Sequence, residues 1–97
     1  MIEVRETIEF SKWLANLRDP VIRAKISVRI QRFAFGNPGD VAAIGHGLSE
    51  MRIHYGPGYR IYFVQKGPLM ILLLGGGDKS TQKRDITRVQ SLAQDYL

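Results

Sequence analysis

The chain has 97 residues, 44% of them hydrophobic, and sets 14 Lys and Arg against 9 Asp and Glu, a formal charge of +5. That length supports one domain, residues 1–97, with a modest core, and excludes two. The absence of cysteine excludes disulfides, thiolate catalysis and cysteine-ligated metal, and the two histidines, His46 and His54, do not stand at a zinc-ligand spacing.

No metal and no cofactor is therefore expected. The positive charge favours polyanionic partners, either nucleic acid or an acidic protein segment. Residues 1–5 alternate instead of forming an apolar leader, and the longest apolar run, residues 69–74, is too short to cross a bilayer. The expectation is a soluble, cytoplasmic protein with no membrane association.

Residues 1–5 read as a short strand, with Ile2 and Val4 on one side and Glu3 and Arg5 on the other. Thr7 offers a helix N-cap, Glu9 suits the positive end of the helix dipole, and Phe10, Trp13, Leu14 and Leu17 follow at helical spacing. Trp13 fits a core anchor better than a platform for stacking bases. Asp19 and Pro20 then restart the chain as N-cap and first helical residue of a second helix that runs to about Phe35, with Gly36 beyond it. Its apolar stripe is Ile22, Ile26, Ile30 and Phe33. Lys25, Arg29 and Arg32 form an adjacent stripe, joined by Arg23, that is either a solubilising face or a surface for the phosphate backbone.

Residues 36–40 are turn chemistry, residues 41–44 a short extended segment, and Gly45-His46-Gly47 a further turn in which His46 is given no chemistry. Residues 48–63 read as a β-hairpin around Gly56-Pro57-Gly58. Pairing Tyr55 with Tyr59 sets Ile53 opposite Ile61 and Met51 opposite Phe63, all on one core face. The other face then carries Glu50, Arg52, His54, Arg60 and Tyr62, with His54 beside Arg60 and Arg52 beside Tyr62. Left open, it is suited to an anion; the competing reading is the ordinary wet side of an antiparallel sheet.

Residues 65–68 turn the chain again, and residues 69–74 are apolar on both faces, as in a strand covered from both sides. Gly75-Gly76-Gly77 offers backbone that a ligand could approach closely, without the spacing of a P-loop. A basic segment, residues 79–84, leads into a last helix with Asp85 in its first turn and Ile86, Val89, Leu92, Ala93 and Tyr96 on its apolar side. The order β-α-α-β-β-β-α predicts an α+β fold: a small antiparallel sheet covered on one face by an N-terminal helical hairpin, with a C-terminal helix.

Three stretches, Leu48-Ser49-Glu50-Met51-Arg52-Ile53, Gly58-Tyr59-Arg60-Ile61-Tyr62-Phe63 and Lys79-Ser80-Thr81-Gln82-Lys83-Arg84-Asp85-Ile86, give the chain a specific look. With them it resembles the RelE/ParE superfamily of bacterial type II toxins, particularly the HigB-like addiction module killer proteins, over nearly its whole length. The resemblance implies a RelE-like fold and a toxin that is either a ribosome-dependent mRNA endoribonuclease (an mRNA interferase) or a ParE-like, non-enzymatic inhibitor of DNA gyrase. A third reading is a basic nucleic-acid-binding domain without catalysis. For the ribonuclease, the resemblance implies Arg52, His54, Arg60, Lys79 and Lys83 as catalytic residues, while the basic residues Lys25, Arg29, Arg32 and Arg84 are the expected RNA-binding ones. Tyr96 lies too late to match the C-terminal tyrosine of some members. Partners implied are a cognate antitoxin of helix-turn-helix type, the ribosome and mRNA, with operator DNA reached only through the antitoxin. Metal-free RNA cleavage needs a base, an acid and cations around the phosphorane, and histidine is the side-chain type on this face that ordinarily titrates near neutrality.

Overall fold

The computed structural model describes residues 1–96. The chain runs β1 (Glu3–Glu6), α1 (Ile8–Asn16), α2 (Pro20–Ala34), β2 (Val41–Gly45), β3 (Leu48–Ile53), β4 (Tyr59–Lys66), β5 (Met70–Asp78) and α3 (Gln82–Gln94), with a 3-10 turn at Lys79–Thr81 before α3. The helix starts follow from their caps. Thr7 Oγ1 accepts from the Phe10 amide at 3.1 Å, and Asp19 Oδ1 accepts from the Val21 amide at 2.9 Å with Pro20 at the first position.

The sheet order is β1-β5-β4-β3-β2. Strands β2 to β5 form an antiparallel meander, and β1 lies parallel to β5, with Val4 opposite Ile71. To the expected antiparallel sheet the structure adds one parallel pairing, so the sheet is mixed. It also gains a strand, because residues 41–45 pair with β3 as an edge. The helical hairpin carries the chain from one edge of the sheet to the other, which returns β5 to the side of β1.

The hairpin covers one face, as predicted. Phe10, Ile22, Ile26 and Phe33 pack onto Met51, Ile53, Ile61, Phe63, Ile71 and Leu73, all buried. Phe33 and Phe63 meet edge-on with ring centres 5.1 Å apart. The other face is not open. Helix α3 lies on it and closes a second core of Leu48, Tyr62, Val64, Leu72, Leu74, Val89 and Ala93. One bulge, where Tyr62 faces Gly75 but Phe63 faces Leu73, inserts Leu74 into the apolar run of β5.

The glycine run belongs to β5, and protein, not ligand, makes the close approach. A Cβ at Gly76 would sit 2.3 Å from Trp13 Cε3, and one at Gly77 would sit 2.0 Å from Asp85 Oδ2. The missing side chains let α1 seat on one face and the first turn of α3 on the other.

A candidate anion-binding site

The polar face of the β3–β4 hairpin is built by parity. Glu50 and Arg52 alternate outward from the helical-hairpin core on β3, as Arg60 and Tyr62 do on β4. The pairing is Met51 with Ile61, Arg52 with Arg60 and Glu50 with Tyr62, two residues from the expected register. The reason lies in the turn. Strand β3 ends at Ile53, residues 54–58 form a longer connection, and the Tyr55 amide donates to Ile53 O while the Gly58 amide donates to Tyr55 O. A two-residue slip preserves each side chain's face but changes its neighbours. Arg52 stands opposite Arg60, and His54 falls outside the strand.

Two opposed guanidinium groups need a counter-charge, which Glu50 supplies. Its side chain is 1% exposed. Oε2 accepts from Arg52 Nε at 2.9 Å and lies 3.2 Å from Arg60 Nε, close enough for an ion pair but not aligned as a hydrogen bond. Oε1 accepts from Gln82 Nε2 of α3 at 2.8 Å. The Arg60 side chain is 10% exposed and that of Arg52 38%. The bond to Glu50 holds the Arg52 guanidinium above its usual pKa.

Beside this cluster runs an open groove lined by residues 54–58, Arg60 and Lys79. Lys79 is brought there by its amide, which donates to Gly58 O at 2.8 Å. Asp78 steadies the turn by accepting from the Ser80 hydroxyl and, at 2.8 Å, from the Ser80 amide, which together keep its carboxyl below the usual range. His54 is exposed, with Nε2 2.6 Å from Asp40 Oδ2. That bond, the largest cause, holds the Asp40 carboxyl below its ordinary value, and Arg52 and Arg29 act in the same direction. Tyr55 Oη donates to Asp19 Oδ2 at 2.9 Å, which raises the phenol's pKa.

The remaining expected residues lie elsewhere. Lys83 and Arg84 are exposed on the first turn of α3, around a separate hollow that Lys79 and Gln82 share. Lys25, Arg29 and Arg32 border a larger hollow along α2, whose floor is Val21, Ala24, Val28 and Ile53. Within it Arg29 ties α2 to the end of β3 and to the loop before β2. Its Nη1 donates to Arg52 O at 2.6 Å, and its Nη2 donates to Pro38 O and Asp40 O, both at 3.3 Å. Desolvation lowers its pKa.

Sequence reading placed Glu50 on the face but missed its role, and placed Gln82 and Asp85 at the start of the last helix without their contacts to the sheet. Gln82, Asp85, Val89 and Ala93 recur at spacings of three and four, so polar residues at the head of an apolar helical stripe were the available signal. Asp85 is buried, accepts from Thr81 Oγ1 at 2.6 Å and pairs with Arg88 at 3.1 Å.

This architecture is that of an α+β protein with helices on both faces of a five-stranded mixed sheet, and its polar site can hold a phosphate or carboxylate against Arg60 and Lys79. The same fold is found in a copper-bound point mutant of a toxin from Helicobacter pylori, at a TM-score of 0.57 and 20% identity, over 82% of this chain and 97% of that one. No family model matches the chain. An uncharacterised protein of Haemophilus influenzae is 43% identical over 94 residues, spanning 97% of this chain and 95% of its own. The chain belongs to the family of that Haemophilus protein.

Proposed function

We propose that the protein is the toxin of a type II toxin–antitoxin module and acts as a metal-independent endoribonuclease on mRNA held by the ribosome. The observation that carries this reading is the groove in which Arg60, Lys79 and His54 meet. The fold shared with the Helicobacter toxin and the motif resemblance support the toxin role.

Cleavage proceeds by attack of a ribose 2′-oxygen on the adjacent phosphorus, with the P–O5′ bond breaking to leave a 2′,3′-cyclic phosphate and a 5′-hydroxyl. His54 is the proton-transfer group, held by Asp40 at Nε2, an arrangement that orients an imidazole. Arg60, with Arg52 paired to it across the strands, receives the phosphorane oxygens, and Lys79, which also lines the groove, adds charge. Lys83 and Arg84 extend the positive surface along α3 for the flanking RNA. Lys25 and Arg32 stand beside exposed apolar residues of α2, a mixture that suits an acidic amphipathic segment of the antitoxin better than an RNA backbone.

The test is induced expression in bacteria with primer extension on a reporter mRNA, comparing the native chain with Arg60→Ala and His54→Ala. The expected result is in-frame cuts that need translation, reduced at least about a hundredfold in both variants. Growth arrest with intact mRNA would replace the nuclease by a non-enzymatic target such as gyrase.

A further inference from the structure

We infer that Glu50 is a positioning residue of the anion site, its carboxylate hydrogen-bonded to Arg52 Nε and ion-paired with Arg60 so that their Nη ends are left for a phosphate. The inference rests on the proposed assignment of Arg52 and Arg60 as phosphate ligands. The carboxylate is 1% exposed, and a single oxygen, Oε2, meets Nε of both arginines at 2.9 and 3.2 Å. Gln82 Nε2 donates to the carboxylate's other oxygen at 2.8 Å and lies 3.2 Å from Oε2, which ties the carboxylate to α3.

Arginine carries five N–H donors, of which Nε supplies one. No Nη atom of Arg52 or Arg60 has a hydrogen-bond partner among the described residues. Arg60 Nη1 lies at the lip of the groove, 3.8 Å from the position a Cβ would take at Gly58, where Lys79 also stands. The donors suited to bidentate phosphate binding are thus the ones left free.

Stability does not account for this arrangement. The same face of the sheet is filled by Leu48, Val64, Leu72 and Leu74 under α3, and a buried ion pair is seldom more stabilising than apolar residues of similar volume. Of the three ions, Arg60 lines the groove. Two guanidiniums and one carboxylate leave the cluster at +1, which attracts a phosphodiester while keeping the arginines from repelling each other.

A sign distinguishes positioning from charge. If Glu50 were only a nearby negative charge, Glu50→Gln would strengthen anion binding; if it orients the arginines, the same change weakens it. Inorganic phosphate is titrated into the full chain while the Nε–Hε resonances of Arg52 and Arg60 are followed by NMR. In the native chain both resonances should shift and saturate. In Glu50→Gln they should lose their distinct positions, and phosphate affinity should fall about tenfold. Unchanged or tighter binding overturns the proposal, as does a native chain whose arginine resonances ignore phosphate.

Should Glu50→Gln lose its amide dispersion, Glu50→Asp replaces it, keeping the charge but withdrawing the carboxylate by one methylene. Weaker phosphate binding is expected there too, and native-like binding overturns the proposal. The primer-extension assay is run in parallel. Phosphate binding that depends on Glu50 in a chain that cuts no mRNA would remove the nuclease reading and leave the role of Glu50 standing.

Discussion

Tyr62 and Glu50 face each other across β3 and β4, both buried beneath α3, yet their polar atoms fare differently. The carboxylate is satisfied from three sides, whereas the Tyr62 hydroxyl has no partner among the described residues. Burial, and then the Asp85 and Glu50 carboxylates, push the phenol's pKa up, so the proton stays on through the neutral range. An unpartnered buried hydroxyl is a cost that its removal relieves. Tyr62→Phe should therefore leave stability to urea unchanged or raise it by up to about 1 kcal/mol. A comparable loss would mean that the hydroxyl has a bound water or another acceptor. Alternation along the strand was enough to put both residues on one face. Nothing local could say which would be satisfied, because Gln82 comes from α3 and the position of Arg60 depends on the register of β4 on β3.

Between elements, the decisive contacts are the two that glycine permits. Gly76 receives the Trp13 ring of α1, and Gly77 receives the Asp85 carboxylate of α3, on opposite faces of β5. Gly76→Ala should cost roughly 1–3 kcal/mol, because either the ring or the strand has to move. Trp13 fluorescence should shift in the same variant. Native stability with an unchanged spectrum would show that α1 does not seat as described. The reach of each helix was readable from caps and breakers such as Thr7, Asp19, Pro20 and Gly36, whose effects are confined to a turn of chain. The reading of the triple glycine as a ligand approach missed because close approach by a helix and by a ligand require the same missing Cβ.

For the molecule as a whole, two of the basic surfaces differ in character. Arg60 and Lys79 border a polar groove, while Lys25 and Arg32 border an apolar floor on α2. The second surface is the one proposed for an acidic protein partner. Val28 is exposed there, so Val28→Asp should not disturb the fold but should weaken binding roughly tenfold to hundredfold by setting a carboxylate against apolar and acidic surface. Growth inhibition should persist in that variant, while relief by co-expression of the protein encoded in the adjacent reading frame should fail. Full relief would move the partner to another face. Among the described residues no helix is long and apolar enough to cross a membrane.

Periodicity, caps and turn residues, all properties of a few neighbouring positions, were sufficient for the α+β class, for the helical hairpin and its buried stripe of Ile22, Ile26 and Phe33, and for the shared face of Glu50, Arg52, Arg60 and Tyr62. Tertiary structure alone decided the parallel pairing of β1 with β5, the true opposition of Arg52 and Arg60, and the covering of the polar face by α3. It also separated His54 from the strand and gave Glu50 its two arginines. The reason is range. Which face a side chain occupies follows from the twofold repeat of its own strand, but what it meets there depends on loop length and on elements that dock from distant parts of the chain.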